Sequence, residues 1–94
     1  MKDLCLKGWI PLEKMVLDEN QRQIEQWGIQ DLLMSEWLML ATEELGELAK
    51  AIGEWNYRLG PAENVIKEAI QAATLCLKIA EMFSQKMLDE PRKD

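Results

Sequence analysis

The sequence predicts an all-α protein: a bundle of about three main helices per chain, completed by homodimerisation. Three observations carry this. Apolar residues recur at alternating intervals of three and four, the period of a helix with one buried stripe. Only three prolines and five glycines occur in 94 residues, and β-branched residues are few, which favours helix over sheet. The third helix is apolar over more of its circumference than two neighbours cover, so a partner protomer is expected. A chain this short makes one domain, residues 1–94, with a modest core, and such chains often gain stability by association.

Residues 1–10 read as an irregular arm with one large apolar group, Trp9. Pro11 suits the first position of a helix, where no N–H is needed. Leu12 to about Trp27 reads as a helix of moderate amphipathicity, ended by Gly28. Residues 28–33 form a connection, and Asp31 and Ser35 are both candidate N-caps for the second helix. In that helix Leu38, Ala41, Leu45, Leu48, Ile52 and Trp55 define one buried stripe, which fades between Tyr57 and Gly60. Gly60-Pro61 is a break, and Pro61 opens the third helix with Glu63 in its first turn, where a negative charge suits the helix dipole. The third helix runs from about Ala62 to Lys86. Val65, Ala69, Ala72, Cys76, Ile79 and Phe83 form its main stripe, and Ile66, Ile70, Ala73 and Leu77 widen it. The charged tail from Asp89 to Asp94 contains Pro91 and is expected to fray.

Composition excludes several functions. The net charge is −6 and no Lys/Arg cluster offsets it, which argues against a nucleic-acid surface. A nucleotide remains possible if a metal screens its phosphates. Cys5 and Cys76 give no disulfide framework, and Cys76 reads as a small core residue. No segment reads as a membrane span, and Lys2, Asp3 and Lys7 interrupt any signal-like start, so a cytoplasmic location is expected. Histidine is absent, which removes histidine bases, zinc ligands and di-iron Glu-x-x-His pairs.

The informative residues are acidic. On a wheel with Leu38 at zero, the apolar sector of the second helix centres near about 300°, with Trp37 and Trp55 at about 260°. Glu44 lands at about 240°, inside that sector, and Glu47 at about 180°, on its margin. Glu43 falls on the polar face with Glu36 and Glu54. On the third helix, with Val65 at zero, Glu68 sits at about 300° between Leu75 and Ile79, and Gln71 lies one turn on, at the edge. Glu44 with Glu47, and Glu68 with Gln71, are thus pairs that each project from one helix face. Antiparallel packing would bring the pairs together. Carboxylates gathered in an apolar setting repel one another unless compensated. Either Lys50, Lys67 or Lys78 pairs with them, or Mg²⁺ or Mn²⁺ takes their hard oxygens and keeps positions open for water and phosphate.

TEELGELAKAI followed by ENVIKEAIQAA resembles the MazG-like all-α nucleoside triphosphate pyrophosphohydrolases, over about residues 36 to 82. The family motif is Glu-Glu-x-x-Glu, a spacer, then Glu-x-x-Asp. Glu43, Glu44 and Glu47 match its first half, residues 48 to 67 form the spacer, and Glu68 opens the second half. The upstream RQIEQWGIQ resembles the run before the motif in small members. The terminal Asp is Gln71 here, which keeps a carbonyl oxygen but loses a charge. The resemblance implies a helical bundle completed as a dimer or dimer of dimers. It implies hydrolysis of (deoxy)nucleoside triphosphates to monophosphate and pyrophosphate, as housekeeping of the nucleotide pool. It implies Mg²⁺ on Glu44, Glu47 and Glu68 with Gln71 in the fourth ligand position, and Glu43 orienting or deprotonating water. Lys50 either reaches a phosphate or pairs with Glu47 or Glu54 on the surface. Trp27, Trp37 and Trp55 either form a base pocket, as aromatic residues near the carboxylates do in the family, or pack in core and interface. The competing reading is a catalytically inactive helical dimerisation or interaction module, for which Gln71 speaks.

Overall fold

A computed structural model describes Leu4 and residues 10–89 of the chain. Three helices account for all the regular structure among the described residues: α1 (Leu12–Trp27), α2 (Met34–Arg58) and α3 (Ala62–Asp89). The expectations about Cys5, Trp9 and the charges near the start lie outside the described residues. So do those about Pro91 and the rest of the tail beyond Asp89. No helix among the described residues is long and apolar enough to cross a membrane.

Local chemistry sets the helix ends. Pro11 caps α1 from just outside it, and its carbonyl accepts from Met15 N at 2.9 Å. Gly28 ends α1 at φ +75°, a conformation that costs glycine little, and its N–H donates to Ile24 O at 2.7 Å. Neither Asp31 nor Ser35 caps α2. Leu33 holds that position, and Glu36, in the first turn, reaches back so that its Oε1 accepts from Leu33 N at 2.9 Å. The glutamate satisfies a donor from inside the helix, so the cap needs no side-chain oxygen of its own. At the other end Leu59 adopts the left-handed conformation, and Gly60 N donates to Glu54 O at 2.9 Å. A Cβ at Gly60 would sit 2.9 Å from Glu54 Cβ, so this close return of the chain needs glycine.

α3 is the central element. α2 lies along it and α1 makes a smaller contact, while α1 and α2 do not meet backbone to backbone. α2 and α3 run antiparallel: Trp37 packs near Leu75, Ile79 and Met82, whereas Ala51 and Glu54 share a hollow with Asn64. The core centres on Trp37, Ala41 and Leu75, with Leu32, Met34 and Leu40 packed against it.

The buried stripe of α2 differs from the one its sequence predicts. Ala41 is buried and Leu48 half-buried, but Leu38, Leu45, Ile52 and Trp55 are exposed. Trp37, Ala41 and Ala51 are the residues turned inward. The buried face is therefore rotated by roughly 40° from the centre of the apolar sector. The sector is wide enough for two neighbours, and α3 covers only one edge of it. The same holds on α3. Ala72 and Leu75 are buried, but Cys76, Leu77, Ile66 and Phe83 are exposed. Cys76 is thus a surface residue within an apolar sector, not a core residue.

Candidate metal centre and adjoining hollows

The rotation of α2 places Glu44 near the middle of the face that meets α3. There it is half-buried, beside the half-buried Glu68 and Gln71. With the Gln71 amide turned so that its nitrogen faces the two carboxylates, Nε2 donates to Glu44 Oε2 at 3.0 Å and to Glu68 Oε2 at 2.9 Å. One amide thus bridges two acids from different helices. Burial pushes the Glu44 carboxyl above its ordinary pKa; the neighbouring Glu68 charge, a hydrogen bond with Glu68, and the charges of Glu19 and Glu47 push the same way. Glu47 is exposed and faces the side hollow that Glu68 also lines. Among the described residues no three acidic side chains form a ready-made cage. The donors that converge are two carboxylates and an amide, all with hard oxygens suited to Mg²⁺ or Mn²⁺.

α1 brings side chains that the sequence reading missed. Glu19 and Gln23 are buried, the latter only 3% exposed. Arg22 grips Glu19 with two hydrogen bonds of 2.8 Å, and Gln23 Nε2 donates to Glu19 Oε2 at 2.7 Å. Burial opposes the Glu19 charge, but the hydrogen bonds from Arg22 and Gln23 and the charges of Arg22 and Lys78 outweigh it and hold the carboxyl below its usual range. The Arg22 guanidinium also feels the charges of Glu44 and Glu68. The signal was present in the sequence. With Leu12 at zero, Glu19 falls at about 340° and Gln23 at about 20°, amid Met15, Leu12 and Val16.

Two hollows flank the acid pair. The larger, about 850 Å³, opens between α1, the start of α2 and the second half of α3, and Trp27, Trp37, Glu43 and Glu44 line it. The smaller, about 190 Å³, is polar and holds Glu47, Lys50, Lys67 and Glu68. Glu44 and Glu43 thus face the aromatic side, and Glu47 and Glu68 face the lysine side. Trp37 is buried, Trp27 and Trp55 are both exposed, and Trp55 lines neither hollow. Of the candidate site residues, Gln71 and Trp55 line neither hollow; Gln71 lies between Glu44 and Glu68, and Trp55 stands apart.

The Glu44 environment makes a prediction about pH. A carboxyl whose folded pKa is raised binds its proton more tightly when folded, so its stabilising contribution is full below the unfolded pKa and is lost as pH rises through the folded one. In chelator, the wild type loses this contribution as pH rises above the ordinary carboxylate range, and Glu44→Gln does not. Urea unfolding across that range should show the difference between the two proteins growing toward neutrality in favour of the variant. A constant difference would contradict the electrostatic description of Glu44.

Compared with protein-family models, curated proteins and solved structures, the chain finds no match.

Proposed function

We propose that this chain is a divalent-cation-dependent hydrolase of (deoxy)nucleoside triphosphates, releasing pyrophosphate and the monophosphate, and acting on surplus or non-standard nucleotides. The observation that carries the reading is the Glu44–Glu68 pair bridged by Gln71, set between an aromatic hollow and a lysine-bearing one. A nucleotide has the same polarity: a flat base at one end, a polyanion at the other, and a reacting phosphorus between.

Mg²⁺ or Mn²⁺ bound here supplies charge neutralisation and a polarised water. Glu44, Glu47 and Glu68 would hold it, with Gln71 adding its carbonyl oxygen once the amide turns over. Glu43, exposed on the rim of the larger hollow, orients the water or takes its proton. The water oxygen bonds to the α-phosphorus, the bond to the α–β bridging oxygen breaks, and pyrophosphate leaves with that electron pair. No nucleophilic side chain is required. Lys50 and Lys67 meet phosphate oxygens in the smaller hollow, and Trp27 and Trp37 offer stacking and walls for the base.

A second copy of the chain covers the exposed apolar face in this reading. Leu38, Leu45 and Ile52 on α2, with Leu77 and Phe83 on α3, are too many large apolar groups to leave in water on so small a domain. Light scattering after size exclusion should give a dimer or a dimer of dimers, and Leu45→Glu should give a monomer. A monomeric wild type would contradict this part.

A second reading is favoured by one specific observation. The Gln71 amide already satisfies both carboxylates without a metal, as expected of an inactive helical interaction module. The two are separated by incubating the protein with a panel of (deoxy)nucleoside triphosphates and Mg²⁺, then assaying pyrophosphate. Metal-dependent release from at least one nucleotide supports the hydrolase. Absence of release from all, in wild type and in Gln71→Asp alike, supports the module.

A further inference from the structure

A chain of polar contacts that the hydrolytic reading does not use reaches the wall of the larger hollow at Gln23 and Lys78. It starts at Glu19, passes through Gln23 and ends at Lys78 of α3. Gln23 Nε2 donates to Glu19 Oε2 at 2.7 Å, and Lys78 Nζ donates to Gln23 Oε1 at 2.7 Å. The direction of this chain is fixed. The Glu19 carboxylate, held charged by Arg22, only accepts. Gln23 must therefore turn its nitrogen to Glu19 and its oxygen to Lys78. An ammonium has three hydrogens to donate, and among the described residues Gln23 is the one hydrogen-bond partner of Lys78. The remaining donors belong to a side chain that lines the hollow.

A second unmet donor lies in the same wall. Trp37 is 5% exposed, and its Nε1–H is buried with no partner. Buried polar groups normally find partners, so this one marks a place where an acceptor is missing. Lys78 Nζ stands 5.9 Å from the centre of the Trp37 ring. The hollow thus joins a lysine with donors to spare to an indole ring and the apolar side chains of Ile24, Leu40, Leu75 and Met82. Its volume of about 850 Å³ falls in the range of small-molecule pockets.

We propose that the hollow is a nucleobase subsite selective for bases bearing a carbonyl oxygen where their counterparts bear an amino group. The favoured bases are uracil, thymine, guanine and hypoxanthine, with the Lys78 ammonium donating to that oxygen. Cytosine and adenine present an N–H donor at the same place, which leaves donor facing donor. This deepens the hydrolytic reading and rests on it for the assignment of the hollow to the base. A site built to hydrogen-bond one group rejects the analogue lacking it, because its own buried polar groups then go unpaired. A charge-assisted hydrogen bond gained or lost corresponds to a preference of about tenfold or more.

Two nearly isosteric pairs give the cleanest test: deoxyuridine against deoxycytidine, and inosine against adenosine. Their dissociation constants are measured by ligand-observed NMR in chelator, on wild type and on Lys78→Met, which keeps the stem and removes the donors. Pyrophosphate release from the corresponding triphosphates is assayed with Mg²⁺ alongside. A preference of about tenfold or more for the carbonyl member of each pair, lost in Lys78→Met, supports the proposal. Equal binding, a preference for the amino members, no nucleoside binding at all, or a preference that survives in Lys78→Met overturns it. The wild-type comparison decides even if the variant folds poorly. Selective nucleoside binding without pyrophosphate release would sink the hydrolase and leave the subsite standing. Unselective hydrolysis would do the reverse.

Discussion

Glu44→Gln should abolish the proposed metal-dependent pyrophosphate release, by about a hundredfold or more, while making the metal-free protein more stable at neutral pH. The two effects have one cause. Glu44 sits half-buried against Glu68, with Glu19 and Glu47 contributing further negative charge. Without a cation that arrangement opposes folding whenever Glu44 is ionised. With a cation bound, as proposed, the same charges would become ligands. An amide at this position removes the repulsion and the ligand together. An ordinary surface glutamate would show neither effect, and a structural ion-pair partner would show destabilisation instead. Activity assays and urea unfolding in chelator, run on the same preparation, read both halves. Lost activity with unchanged stability would keep the catalytic role and remove its electrostatic explanation.

Gln71→Asp has the opposite pattern. Placing a third carboxylate at the α2–α3 interface should raise Mg²⁺ affinity by about tenfold, because affinity for hard cations rises with ligand charge. It should also destabilise the metal-free protein, since the amide that donates to Glu44 and Glu68 is replaced by a group that repels both. In the proposed reading Gln71 would act in two ways through one torsion. Its nitrogen ties the acids together, and its oxygen would serve a bound cation. Calorimetric Mg²⁺ titration and unfolding in chelator check the two parts. If Gln71→Asp loses stability and gains no affinity, the acid pair is a structural feature of a helical module.

The helices were legible in the sequence because they rest on local rules. α1 has the bounds that Pro11 and Gly28 dictate, and the break at Gly60-Pro61 separates α2 from α3 as their residue types require. The cap of α2 was not legible as Asp31 or Ser35, because Glu36 supplies the hydrogen bond from within the helix. The rotation of α2 was hidden for a different reason. Periodicity locates an apolar sector but does not say which edge of it a given neighbour covers. Leu45 and Ile52 share the sector with Ala41 and end on its outer side.

The site shows the same division. The proximity of Glu44, Glu68 and Gln71 follows from their places on two antiparallel helices, and the wheel positions sufficed to bring them together. Glu47 and Lys50 lie on the opposite flank from Glu43, a separation that one helix viewed alone does not reveal. Glu19 and Gln23 do not stand out in the sequence, because α1 carries many polar residues and two more within its apolar face leave its moderate amphipathicity unchanged. The Gln23–Lys78 hydrogen bond joins positions far apart in the chain, and only the packing of α1 on α3 creates it.

The central claim is that acidic oxygens from α2 and α3 take up a divalent cation between them. Calorimetric titration of wild type, Glu44→Gln and Glu68→Gln with Mg²⁺, repeated with Mn²⁺, tests it most directly. The account predicts saturable binding by the wild type that is lost in both variants. Equal uptake by all three proteins, or none by the wild type at millimolar cation, would contradict it.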